Sequence, residues 1–239
     1  MNDSYQLSLL TYNIDGLNPV NLSYRTHTIL GLILSENADV VQLQEVVPET
    51  DPLITRSLSN SGYTSLQNPA IHRNLCHYFT LTFVKTNKFT ECILERVPYT
   101  GNATSQQGRD SLQLRFKYKG LSWLFINCHL ESCGAAFKSP GSFIRQAQLT
   151  DGLLLLDSHR EIGPAILAGD LNIRDPEANK VLQSFNGTIL DVSLQLEKGK
   201  KTSTWYMPVP SKYHARYDRI YYNYINNFIS KTFRVIGGE

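Results

Sequence analysis

Four apolar runs in this chain each stop at a polar residue suited to phosphate or metal chemistry. SLLTYN ends at Asn13, VVQLQE at Glu45, LFINCH at His129, and AILAGDLN at Asp170 and Asn172. Apolar strands that end in carboxylates, amides and an imidazole can gather those groups at one mouth of a core, where a substrate reaches them. Each residue also has a plain structural use. Asn13 opens Asn-Ile-Asp-Gly, which is good turn chemistry. Glu45 follows Val41 and Leu43 with Pro48 close behind, as a surface acid at a strand end would. His129 fits a satisfied core histidine, and Asp170 after Gly169 fits a tight turn. Singly these uses suffice. Four strand-end placements in the order Asn, Glu, His, Asp-x-Asn ask for more than turn chemistry.

The elements that must hold these groups follow from periodicity. Apolar residues Ile29, Leu30, Ile33 and Leu34 predict a helix over 23–37, and Ile144, Ala147, Leu154 and Leu155 a weaker one over 142–160. Asp175-Pro176-Glu177 reads as an N-cap, a first-turn proline and a dipole-matched acid. Runs rich in Val, Ile, Leu and aromatics, bounded by Gly, Pro, Asn and Asp, predict strands at 7–12, 39–44, 77–85, 90–97, 111–119, 121–129, 164–169, 189–194 and 217–222. Several lack alternation and so should be covered on both faces. The expectation is two packed sheets flanked by helices, with polar, mobile loops at 100–108 and 197–203. No internal repeat or low-complexity segment interrupts the pattern.

Length and composition suit one large core: 239 residues, 41% hydrophobic and 18% charged, with thirteen Tyr and ten Phe. A formal charge of +2 does not argue for nucleic acid by itself, because the phosphate footprint depends on local clustering. The polar start from Met1 to Gln6 is not followed by a signal-peptide pattern, and no apolar run approaches the ~20 residues of a membrane span. Cys76, Cys92, Cys128 and Cys133 contain no Cys-x-x-Cys, so reduced thiols in a nuclear or cytosolic protein are the simplest reading.

The strings TYNIDGLN (11–18), LQEV (43–46), CHLES (128–132), GDLNIRD (169–175), TW (204–205) and RYDRIYY (216–222) resemble the ordered motifs of the exonuclease–endonuclease–phosphatase superfamily. The likeness runs from about residue 7 to 222, and CHLES and RYDRI are most similar to the branch that acts on tyrosyl–DNA linkages. The resemblance implies a single catalytic domain over 1–239 with a four-layer α/β sandwich fold. It implies a monomeric Mg²⁺-dependent phosphodiesterase, with Mn²⁺ able to substitute, that cuts DNA carrying a 5′-tyrosyl or peptide adduct and has no membrane partner. By position, Glu45 would be the metal ligand with Asn13 beside it. Asp170 would deprotonate the attacking water, with Asn172 holding that water or the developing charge. His129 and Ser132 would bind the scissile phosphate, Arg109 another phosphate oxygen, and Trp205 would wall the single strand.

The family closes on a strand carrying Ser-Asp-His, and no such string precedes Gly237-Gly238-Glu239. Asp218 matches the carboxylate that orients that histidine, and His214, the nearby imidazole, precedes it in a Pro-rich loop. The expectation is a sandwich short of its final strand, with weakened stability and activity. The stretch between Trp205 and Tyr217 is short for the family's substrate-enclosing loop, and the family's N-terminal ubiquitin-binding region has no counterpart. The Asn, Glu and Asp-x-Asn set also serves abasic endonucleases, deadenylase-like nucleases and phosphodiesterases of lipids or inositol phosphates. A weakly active homologue that binds DNA ends is the non-enzymatic alternative.

Overall fold

The computed structural model describes residues 6–67, 77–132, 140–196, 202–206, 212–225 and 229–236. Strands β1 (Leu9–Asn13) and β2 (Val40–Val46) run parallel and are joined by helix α1 (Leu22–Glu36). Helix α2 (Asp51–Asn60) follows, then β3 (Tyr63–Ser65) and β4 (Phe79–Lys85), giving a four-stranded sheet of order β1-β2-β4-β3. The second sheet begins as a meander of β5 (Thr90–Pro98), β6 (Asp110–Tyr118) and β7 (Leu121–His129). Helix α3 (Pro140–His159) then crosses over to β8 (Ala165–Asp170), parallel to β7. Helix α4 (Asp175–Leu182), β9 (Ile189–Asp191) and the short helix α5 (Val192–Leu196) follow. Strands β10 (Trp205–Tyr206) and β11 (His214–Ala215) form an antiparallel pair of their own. Strand β12 (Asp218–Asn223) completes a six-stranded sheet of order β5-β6-β7-β8-β12-β9.

Alternation along β2 explains the layering. Val41 and Leu43 face Leu30 and Ile33 of α1 and Ile54 and Leu58 of α2. Val40, one residue out of phase, faces the other sheet, where Phe116, Trp123 and Phe125 meet it. On the far side, Leu149, Leu153 and Leu156 of α3 and Val181 of α4 cover Ile126 and Leu167. The result is the expected four-layer α/β sandwich. A polar seam crosses the middle: Gln44 Nε2 donates to Asn127 Oδ1 at 2.8 Å and Thr11 Oγ1 at 3.0 Å. Asn127 Nδ2 in turn donates to Leu81 O at 2.9 Å, so this amide ties the two sheets together. The outer edge of β1 has no strand partner among the described residues. Residues 229–236 line the same cleft as β1 without forming a strand; Ile236 packs on the α1 side of the core and Arg234 pairs with Glu36.

Several local expectations change. Helix α2, strand β3 and the β10–β11 pair add to the elements read from periodicity. The run at 189–194 divides into β9 and α5, because the Asp191 carboxylate accepts the Ser193 amide and hydroxyl and turns the chain. Asp175 is the first residue of α4 rather than its cap; Arg174 holds the cap position, and its amide donates to Glu177 at 2.8 Å. The buried face of α3 is Leu149, Leu153 and Leu156, with Leu154 turned to solvent. The loop at 100–108 is anchored: Ser105 Oγ and Gln106 N donate to Glu131, and Gln148 Nε2 donates to Ala103 O. Much of the second polar loop, 197–201, lies outside the described residues.

Candidate active site

Parallel pairing brings strand ends to one edge. Asn13 lies opposite Gln44 in the β1–β2 ladder, next to Glu45, and His129 lies opposite Asp170 in the β7–β8 ladder. The antiparallel β12 starts where β8 ends, so Asp218 is the register partner of Asp170. The β2–β4 register shifts between Leu43 and Val46, and within that irregularity Glu45 adopts φ 55°. A bulge of this kind re-aims a side chain. Asn172 also takes the left-handed conformation at φ 49°, and such departures in non-glycine residues collect at functional sites. Two glycines let the motifs close. A Cβ on Gly16 would overlap the Glu45 carbonyl, and one on Gly169, whose φ is 144°, would overlap the Cys128 carbonyl.

Asn13 is bonded to one of the two carboxylates and lies beside the other. Its Nδ2 donates to Asp170 Oδ2 at 2.9 Å, its Oδ1 accepts the Asp15 amide, and its nearness works to lower the pKa of Glu45 that burial raises. Asp170 Oδ1 accepts the Asn172 amide at 3.0 Å, and Asn172 Nδ2 donates to Leu130 O. His129 Nε2 stands 3.6 Å from Glu45 Oε1 and 3.8 Å from Asp170 Oδ2, within Coulomb range but beyond hydrogen bonding. Burial and the nearby Arg109 guanidinium hold its pKa well below the usual histidine range, so the imidazole is neutral at pH 7. Burial raises the carboxyls of Glu45 and Asp170, and Asp170 adds repulsion at Glu45; Arg109 and Asn13 oppose the shift at both. Burial and then the charge of Asp170 push Asp218 up to about 7.

Arg109 donates through Nη1 to Leu130 O and through Nη2 to Ser132 Oγ at 3.3 Å. Ser132 Oγ also donates to Gln107 Oε1. A cleft of about 830 Å³ opens over Asn13, Glu45, Asp170, Asn172 and Asp218, with Trp205 on its wall. Every site residue expected from the sequence is therefore at or directly behind this mouth. His129 and Arg109 form the back, reached through Glu45, Asp170 and Ser132.

The donor set fits a divalent cation. Two desolvated carboxylates repel each other beside a neutral imidazole, an arrangement that a divalent cation would relieve. Among the described residues no three His, Cys, Asp or Glu side chains form a cage.

The profile of the Endonuclease/Exonuclease/phosphatase family matches residues 10–231. The chain belongs to that family. It is 30% identical to tyrosyl-DNA phosphodiesterase 2 of Xenopus tropicalis over 228 residues, covering 92% of this chain and 57% of that protein. The chain thus spans a little over half the length of the curated relatives it matches. In three dimensions it resembles the crystal structure of D. rerio TDP2 complexed with single strand DNA product, with TM-score 0.77 and 25% identity over 94% of this chain and 86% of that one. The human Nocturnin catalytic domain with bound sulfate anion, 20% identical over 91% of this chain and 81% of that one at TM-score 0.70, shares the fold.

Three residues that strand-end reading missed support this mouth, Thr204 on its lining and Tyr78 and Glu131 behind it. Tyr78 accepts Arg109 Nε at 3.1 Å and meets the His129 ring edge-on at 5.9 Å. Its place at the start of the apolar run into β4 was the available signal. Glu131, fully buried, anchors the loop that delivers Arg109, and it stood in plain view inside CHLES. Thr204 Oγ1 accepts the amides of Tyr217 and Asp218 at 3.1 and 3.0 Å, which locks the TW string onto the start of β12.

Proposed function

We propose that the chain is a Mg²⁺-dependent phosphodiesterase that hydrolyses the bond between a tyrosine phenol oxygen and the 5′-phosphate of DNA, leaving a 5′-phosphate. One observation carries the reading: Asn13 donates to Asp170 beside Glu45, at a mouth backed by His129 and Arg109. The relatives' names as tyrosyl-DNA phosphodiesterase 2 and the D. rerio complex with single strand DNA product support the substrate. DNA bearing a 5′-tyrosyl or peptide adduct is the partner in this reading.

Mg²⁺, held by Glu45 with Asn13 alongside, would supply electrophilic polarisation of a phosphate oxygen. Asp170 is the base. Asn13 and the Asn172 amide fix its carboxylate, and the raised pKa brings its basicity closer to the working pH. Asn172 helps hold the attacking water. Neutral His129 would serve a phosphate oxygen that reaches the back of the mouth without adding charge, and Arg109 supplies positive charge behind the Ser132 hydroxyl where charge develops in line. Trp205, 39% exposed and 5.7 Å from the Tyr217 ring, walls the strand that leads away from the cut. Asp218 holds a proton part of the time at neutral pH and so limits repulsion against Asp170.

The test is a comparison of a 5′-phosphotyrosyl oligonucleotide, a 3′-phosphotyrosyl oligonucleotide and an abasic duplex, each with and without Mg²⁺. The reading expects turnover of the first alone, and only with metal. Preferential cleavage of the abasic duplex would assign the site to a different nuclease chemistry.

A further inference from the structure

Trp205 and Tyr206 are consecutive residues of β10, so their side chains leave opposite faces of the β10–β11 pair. Trp205 turns to Tyr213 and Tyr217, at 6.0 and 5.7 Å between ring centroids. Tyr206 turns the other way and lies over its cross-strand partner His214, with centroids 5.9 Å apart and planes tilted by 30°. The core does not need this second aromatic pair: Tyr206 is 64% exposed and His214 is exposed as well. Its geometry is nevertheless fixed. His214 Nδ1 shares a 2.6 Å hydrogen bond with Ser203 Oγ, and the Thr204 amide donates to Ala215 O. Through Thr204 the pair is tied to the start of β12, and Tyr206 lines the same cleft as Asp170.

We propose that Tyr206 and His214 form a second stacking surface for single-stranded nucleic acid, taking bases further along the strand than Trp205 does. The proposal rests on the nucleic-acid reading of the site and adds a place where the strand goes next. Exposed aromatic faces bind bases without regard to sequence, because every base has a π-face. Charge favours the same partner. From residue 198 to 217 the chain carries Lys198, Lys200, Lys201 and Lys212 and not one Asp or Glu. A stretch of that charge suits a polyanionic partner.

Fluorescence anisotropy in EDTA, with labelled oligothymidylates that carry no tyrosine, separates binding from hydrolysis. For a dodecanucleotide, the double variant Tyr206→Ala/His214→Ala should bind about tenfold more weakly than the parent, the size expected for a lost base stack. A trinucleotide, too short to pass Trp205, should bind both proteins equally. Tyr206→Phe keeps the ring and should keep the affinity; His214→Ala alone should show part of the loss, which covers the case of a double variant that does not fold. Equal affinity of parent and variants for the dodecanucleotide overturns the proposal, as does an equal loss for both lengths. A parent chain that binds neither oligonucleotide overturns it together with the reading beneath it.

Discussion

Asp170 and Asp218 stand directly opposite each other where strands β8 and β12 meet, two carboxylates in one poorly hydrated corner. The arrangement has a thermodynamic consequence. Asp218 titrates at about 7 in the folded chain, for reasons of burial first and of Asp170 second. In the unfolded chain an aspartate titrates near ~3.9. Between those values the native state binds more protons, so stability falls as pH rises through the window and levels off above it. Asp218→Asn removes this slope. In EDTA, the variant's melting temperature at about pH 8 should exceed the parent's by several degrees, and the two should converge near about pH 4. Parallel melting curves across the range would mean that Asp218 is not under strain.

Glu45→Gln should remove the metal's main anionic anchor while leaving the bulge in place. Loss of that anchor forfeits electrophilic polarisation worth roughly several kcal/mol in the transition state. Activity should then fail to saturate at the Mg²⁺ concentrations that saturate the parent. An unchanged Mg²⁺ titration would remove Glu45 from the metal site.

Asp170→Asn keeps the shape and, through its one carbonyl oxygen, one of the two contacts to Asn13 Nδ2 and the Asn172 amide, but it cannot accept a proton. Turnover should fall by roughly 10²–10⁴-fold. Affinity for an oligonucleotide product should hold, since no phosphate contact is lost. Collapsed affinity with intact single-turnover chemistry would contradict the role.

Arg145 and Glu177 are buried together, 1% and 0% exposed at the side chain, with Nη2 to Oε1 at 2.6 Å, and they lock α3 to α4 behind the Asp170 loop. Arg145→Met leaves the buried Glu177 carboxylate without a cation, held only by Ser142 Oγ and the Arg174 amide, and should cost about 3–5 kcal/mol, read as the urea midpoint. Arg145→Met/Glu177→Leu should recover most of that loss. A double variant no better than the single would show that the pair's worth is not electrostatic.

The sequence exposed some of this and hid the rest for physical reasons. Asn13, Glu45, His129 and Asp170 were legible because parallel strands present their C-terminal residues at one edge, so apolar runs with polar ends mark the mouth. Arg109 was legible through the resemblance alone. Its position depends on Ser105 and Gln106 binding Glu131, a contact between distant segments that no local pattern encodes. Tyr78 was hidden because an aromatic at a strand start reads as packing. Helix α2 carries a sound start signal, Asp51-Pro52, with Ile54 and Leu58 four apart. The α3 face was misread because leucine at four consecutive positions, 153–156, blurs the stripe, and tertiary contact with Leu167 decides the face.

The central claim is that water, activated at Asp170, attacks phosphorus and expels the tyrosyl oxygen. Hydrolysis of a 5′-phosphotyrosyl oligonucleotide in heavy-oxygen water, followed by mass spectrometry of both products, tests it most directly. The account predicts Mg²⁺-dependent release of unlabelled tyrosine and an oligonucleotide whose 5′-phosphate carries one heavy oxygen. Label in the tyrosine, or no metal-dependent product at all, would contradict it.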